Sequence, residues 1–209
     1  AKPSEEELHQ AMLNGIRDKG LSVLNWTPEA EQYRIRLHCA AQWLPEFDWP
    51  AVDEASLLAN LENWLLPQMH GVHSLRALKA LDVKVALQNL TDWSLRQRLD
   101  TELPGHYTVP TGSRIAIRYH EDNPPALAVR MQEMFGEATT PAIAQGRVPL
   151  VLELLSPAQR PLQITRDLGA FWAGSYREVQ KEMKGRYPKH VWPDDPANTA
   201  PTRRTKKYS

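Results

Sequence analysis

Apolar residues recur at steps of three and four through most of the first hundred positions, then at steps of two from about residue 106. That change of period predicts a helical region followed by a mixed one. In "TPEAEQYRIRLHCAAQWL", Ala30, Tyr33, Leu37, Ala40, Ala41 and Leu44 form one stripe. Thr27 is placed to cap that helix, Pro28 fits its first position, and Glu29 and Glu31 complement the positive end of its dipole. "SEEELHQAMLNGIRDKG" offers Ser4 as a cap and Gly20 as a stop. "VDEASLLANLENWLLPQM" ends at Pro67, and "SLRALKALDVKVALQNL" and "TDWSLRQRLDTELPG" complete five predicted helices. They form a helical domain over residues 1–105.

Beyond it, "SRIAIRY" turns Ile115, Ile117 and Tyr119 to one side and Arg114, Ala116 and Arg118 to the other, after a Pro110-Thr111-Gly112 turn. "ALAVRMQEMFG" spaces Leu127, Met131, Met134 and Phe135 as a helix would, although a strand also fits there. "RVPLVLELLSPAQRPLQITRDL" reads as two strands around Ser156-Pro157-Ala158, and a closing helix runs from about Leu168 to Lys184. The expected order over residues 106–196 is β-β-α-β-β-α. Residues 197–209, "ANTAPTRRTKKYS", lack a core-forming pattern and read as a flexible, disordered basic tail. The predicted fold class is therefore α+β.

Composition changes this picture little. The 209 residues are 42% hydrophobic and 24% charged, so real cores are expected and disorder throughout is not. No apolar run is long enough to span a membrane. The single cysteine, Cys39, excludes an intrachain disulfide and fits a reducing, cytoplasmic setting. Charge does matter. Residues 1–100 hold 10 Lys and Arg against 14 Asp and Glu, whereas residues 101–209 hold 15 against 11, which points the second half toward an anionic partner. The chain opens at Ala1 rather than Met, as a piece of a longer protein would.

Catalytic patterns are missing. The sequence contains no G-x-x-x-x-G-K-[ST], no G-x-G-x-x-G after a strand, no G-x-S-x-G and no C-x-x-C. His70-Gly71-Val72-His73 reads as a polar interhelix turn rather than a fixed metal face, and Cys39 as a half-buried thiol on an amphipathic helix. Asp194 and Asp195, between prolines, read as a solvated turn. No catalytic residue, bound cofactor or metal is assigned to this chain.

The stretch "FWAGSYREVQKEMKGRYPKHVWPDDP", residues 171–196, carries the most chemistry. As a helix, it lines up Trp172, Tyr176, Val179 and Met183 on one stripe, and Arg177, Lys181 and Lys184 on another about 140° away. The aromatics read as core and so are not free to stack on bases. The basic row reads either as a solvated face beside Glu178 and Glu182 or as a contact for phosphates. Tyr187 and Trp192 are expected to pin the exit segment back onto the sheet.

The same stretch, with "VPTGSRIAIRY", "RMQEMFG" and "GRVPLVLELLSPAQRPLQITRDL", resembles the C-terminal domain of HrpB-type helicases, a family of bacterial DExH-box ATP-dependent enzymes. The resemblance covers residues 106–196, and "RDKGLSVLNWTPEAEQYRIRL" and "LTDWSLRQRLD" are similar to the segment that precedes that domain. Glu153 departs from the pattern, which has histidine in a similar "LHLLSP" strand. The resemblance implies that two RecA-like motor domains, with their ATP, Mg²⁺ and DExH motif, lie upstream in the parent chain, and that this piece binds rather than turns over substrate. It implies RNA or single-stranded nucleic acid as partner, with candidate contacts at Arg177, Lys181, Lys184, Arg186, Lys189, Arg203, Arg204, Lys206 and Lys207. The alternative is a protein-interaction module that docks on the motor or on another protein without touching nucleic acid.

Overall fold

Side-chain caps set the helix boundaries of the first hundred residues. The computed structural model describes residues 2–206. Ser4 accepts from the Glu7 amide at the start of α1 (Glu5–Lys19), and Thr27 from the Ala30 amide at the start of α2 (Pro28–Trp43). Asp53, Ser74, Asp82 and Asp92 do the same for α3 (Glu54–Ala59), α5 (Leu75–Lys79), α6 (Val83–Gln88) and α7 (Trp93–Glu102); α4 (Leu61–Trp64) lies between. Two stretches expected to be single helices are thus divided. Asn60 separates α3 from α4, and Asp82 begins α6 after α5 has ended. Both are short polar side chains that compete for backbone hydrogen bonds, so a helix-period pattern running across them does not guarantee a continuous helix.

The buried arc of α2 is rotated from the one the apolar pattern predicts. Ala41 is exposed, while Arg36 and Cys39 are buried; the thiol is fully enclosed rather than half-buried. Arg36 tolerates this because its Nε donates to the Leu103 carbonyl at 2.8 Å and its Nη2 to Asp100 at 3.1 Å. With Leu13, Leu37, Leu44, Leu57, Leu61, Trp64, Leu65 and Leu99, these residues make the core of a unit that ends at Leu103.

The second unit begins at Pro104 and is built on a five-stranded sheet. Its strands are β1 (His106–Thr108), β2 (Arg114–Arg118), β3 (Ala126–Arg130), β6 (Val151–Leu155) and β7 (Pro161–Thr165), in the order β1-β2-β3-β6-β7. A small separate hairpin joins β4 (Ala142–Ile143) to β5 (Val148–Pro149). The two sequence-predicted hairpins form: Gly112 takes a φ of 91° in the first, and Gln159 a φ of 63° in the second.

The predicted helix over 126–136 is instead β3 followed by a 3-10 turn, Met131–Met134. β3 pairs in parallel with β6, Leu127 opposite Leu152 and Val129 opposite Leu154, so it sits at the centre of the sheet. A strand covered on both faces is apolar without alternation, and "ALAV" gives no period-2 signal. The observed order therefore departs from β-β-α-β-β-α. Glu153 lies on β6 opposite Ala128, with Arg118 of β2 3.9 Å away, so this ion pair spans β3.

The closing helix is likewise two: α8 (Leu168–Ala173) and α9 (Tyr176–Arg186), parted at Gly174 and Ser175. Residues 197–206, expected to be flexible, are tied to the unit. The Thr202 amide donates to Gln132 at 3.1 Å and the Lys206 amide to Lys189, and just before the segment the Pro196 carbonyl accepts from the Gly136 amide. The tail lacks apolar periodicity because backbone pairing, not side-chain burial, holds it; Thr202 alone of these residues is buried. No described helix is long and apolar enough to cross a membrane.

One buried polar knot holds the turn after β3. Glu133, 3% exposed, accepts from Thr111 Oγ1 and Ser113 Oγ, both at 2.7 Å, and from Arg130 Nε at 3.3 Å. Glu133→Ala strands three donors and is expected to destabilise this unit by about 2–4 kcal/mol. Urea unfolding followed by tryptophan fluorescence measures it; a loss below ~0.5 kcal/mol would show that the knot contributes little.

Candidate nucleic-acid interface

The exposed face of α9 follows from how its other face is anchored. Trp172 and Tyr176 stack edge-on at 5.3 Å, Tyr176 meets Phe171 at 6.0 Å, and Met183 is fully buried. The Tyr176 hydroxyl donates to the Pro193 carbonyl at 2.6 Å, and burial, with Asp194 nearby, pushes its pKa well above the ordinary phenol range. Val179, expected in this stripe, is only half-buried, and Gln180 takes the buried place. Its Nε2 donates to Trp192 O at 3.0 Å, Pro193 O at 3.1 Å and Asp194 Oδ1 at 2.8 Å. The exit segment is thus held to α9 by the Gln180 side chain together with the Tyr176 hydroxyl. Trp192 is buried and closes its own turn by donating to the Tyr187 carbonyl.

With that face committed, Arg177, Lys181 and Lys184 stand exposed in one row. Arg177 and Lys184 both act on Asp194, whose carboxyl is held below its ordinary range first by the Gln180 hydrogen bond, then by these two cations. Arg186 lies 3.6 Å from Glu182, one turn back. Lys189 is exposed in the turn after α9, where its carbonyl receives the Lys206 amide, so that Lys206 and Lys184 line one cleft of about 510 Å³ with His190 and Trp192. Arg204 is exposed on the same docked segment. Arg203 departs from this group and donates to Ser113 Oγ at 3.1 Å. Lys207 lies outside the described residues.

The structure therefore gathers a cationic strip from α9, its exit turn and the docked tail. Sequence spacing identifies the helical row. It misses the convergence of Lys184 with Lys206, which depends on a backbone bond between segments that carry no shared pattern. It also misses Gln180, although this residue lies four positions after Tyr176 and three before Met183.

The chain belongs to the family of ATP-dependent helicase C-terminal domains typified by HrpB, which matches residues 64–196. That span begins within the helical unit, well before residue 106. The chain is 85% identical over all 209 residues to the ATP-dependent RNA helicase HrpB of Escherichia coli K12, of which it covers 26%. A crystal structure of the E. coli DExH-box NTPase HrpB superposes with a TM-score of 0.95 at 84% identity, over 98% of this chain and 25% of that one. A second, of the E. coli DEAH/RHA helicase HrpB, gives 0.82 at 82% identity, over 92% and 24%. The chain thus spans about a quarter of the length of these relatives.

Two tests address the anchoring. Gln180→Ala removes the one amide whose two protons are shared among Trp192 O, Pro193 O and Asp194 Oδ1, and is expected to cost about 1–3 kcal/mol, with amide exchange accelerating around 190–196; unchanged exchange there would dissociate Gln180 from the docking. His190 is held below the ordinary imidazole range, chiefly by burial, with Arg130 adding to the effect. Its unfolded form binds a proton more readily, so its contribution to stability is full above the ordinary imidazole range and is lost as pH falls through the lower folded value. An NMR titration is expected to find its midpoint below that of a free histidine; a midpoint at or above it would show that burial does not govern this imidazole.

Proposed function

We propose that this region is an accessory nucleic-acid-binding element of an HrpB-type helicase, gripping the phosphate backbone of single-stranded RNA for RecA-like motor domains elsewhere in the parent chain. The observation that carries the reading is the exposed row Arg177, Lys181 and Lys184, continued by Lys189, Arg204 and Lys206. Arg186 adjoins it on α9, where it pairs with Glu182, whereas Arg203 turns away to Ser113. Basic side chains arrayed along a strip suit a repeating polyanion, and the buried state of Trp172 and Tyr176 leaves affinity to charge rather than to base stacking. The grip is therefore expected to be indifferent to sequence.

ATP and Mg²⁺ act, in this reading, on the motor domains. The sequence of this region contains no G-x-x-x-x-G-K-[ST] phosphate-binding loop. The region lends affinity, and hydrolysis belongs to the rest of the parent. A second reading, a protein-docking module, is favoured by large apolar side chains left exposed: Trp93 at 71% and Ile164, on the edge strand β7, at 65%. Docking on the motor or on another protein would use such positions and respond weakly to salt.

Fluorescence anisotropy with labelled single-stranded RNA separates the two. The intact chain is expected to bind with steep salt dependence. Changing Arg177, Lys181 and Lys184 together to Ala should lower the slope of log K against log salt by about 2, at ~0.7 per phosphate contact. Absence of binding at low salt, or an unchanged slope in the triple variant, would overturn the reading.

A further inference from the structure

The helical unit contains a second concentration of chemistry, unrelated to the cationic strip. Glu5 and His9 stand one turn apart on α1 and so share a face. The loop 70–73 folds against them: the Gly71 amide donates to Glu5 Oε1 at 2.8 Å, and His9 Nε2 contacts the Val72 carbonyl at 2.9 Å. Gly71 takes a φ of 76°, a conformation that turns the loop so that both contacts form. They bring His73 Nε2 to 3.4 Å and His70 Nδ1 to 3.9 Å from Glu5 Oε1, with His9 Nε2 at 3.5 Å. Three imidazoles thus face one carboxylate, although His9 lies more than sixty positions before His70 and His73.

We propose that Glu5, His9 and His73 bind a divalent transition-metal ion, Zn²⁺ being the best match, with His70 available as a further ligand. One nitrogen or oxygen from each of the three lies within 4.8 Å of the others. A tetrahedral zinc ion with bonds of about 2.0–2.1 Å places its ligand atoms roughly 3.4 Å apart. The Glu5–His9 and Glu5–His73 separations, 3.5 and 3.4 Å, already meet that spacing. Imidazole with carboxylate suits zinc, whereas calcium and magnesium require oxygen cages.

The site is rooted and open at once. The His9 side chain is 9% exposed, which fixes one ligand in the core, while His73 at 60% and His70 at 96% leave a path for the ion. A cleft of about 500 Å³ opens beside Glu5, His9, Pro67 and His70. A glutamate carboxylate is ionised at neutral pH, and the Gly71 amide fixes the position of its Oε1. The contact with Val72 puts a proton on His9 Nε2; to take the ion, the neutral imidazole shifts to its Nδ1–H tautomer, and Nε2 exchanges the Val72 carbonyl for the metal. The bound ion would cross-link α1 to the loop before α5. The loop sequence alone gave no reason to expect this, because His70 and His73 lack two of the donors until α1 supplies them.

The test is titration of Zn²⁺ into the tag-free, chelator-treated chain by calorimetry, with thermal unfolding in parallel. The expected result is saturable binding of one ion, weakened about tenfold or more by His73→Ala and by Glu5→Gln and unaffected by His106→Ala in the other unit. Zinc should raise the unfolding temperature of the parent but not of His73→Ala, whose exposed side chain can be removed without opening the core. Equal affinity in His73→Ala and the parent, or no saturable binding, would overturn the proposal.

Discussion

The parallel pairing of β3 with β6 governs the second unit. Parallel neighbours cannot be joined by a tight turn, so residues 131–150 must travel from one end of the sheet back to the other. That obligation buries the 3-10 turn Met131–Met134, including the polar residues Gln132 and Glu133, where the chain leaves β3. Neighbours meet the Glu133 carboxylate and one backbone group: Thr111, Ser113 and Arg130 surround Glu133, and the Thr202 amide donates to the Gln132 main-chain carbonyl, while Gln132 Oε1 stays buried without a partner. The docking of the tail, and through it the placement of Lys206, traces back to a connection that the sheet topology makes unavoidable.

Much of this was legible in sequence, and the failures share a cause. Helix starts at Ser4 and Thr27, the Gly112 turn and the alternation of β2 were readable because local chemistry alone determines them. β3 was not, since its two covered faces erase the period that would mark a strand. The strap of residues 199–206 was not, because backbone amides carry no composition signal. The row Arg177, Lys181 and Lys184 was visible as a helical spacing, whereas the Lys184–Lys206 cleft and the Glu5–His9–His73 cluster required long-range geometry.

The two units place their chemistry on contrasting foundations. In the second, exposed cations ride on a helix whose inner face is fixed by aromatic stacking and by Gln180. In the first, imidazoles gather around a carboxylate because two hydrogen bonds hold a loop to α1. Charge recognition needs only a correct surface and tolerates mobile side chains; ion coordination needs fixed atoms, and the buried His9 supplies the fixed one.

The docked tail also shapes how the chain meets a protease. Arg203, Arg204 and Lys206 are exposed and chemically suited to trypsin, yet a protease must draw several residues into extended form around the bond it cuts. Here that backbone is engaged at Gln132 and Lys189, so cleavage waits on local opening of the strap. Survival of the C-terminal segment in limited digestion therefore reports the integrity of the turn after β3, at the far end of the same hydrogen bonds.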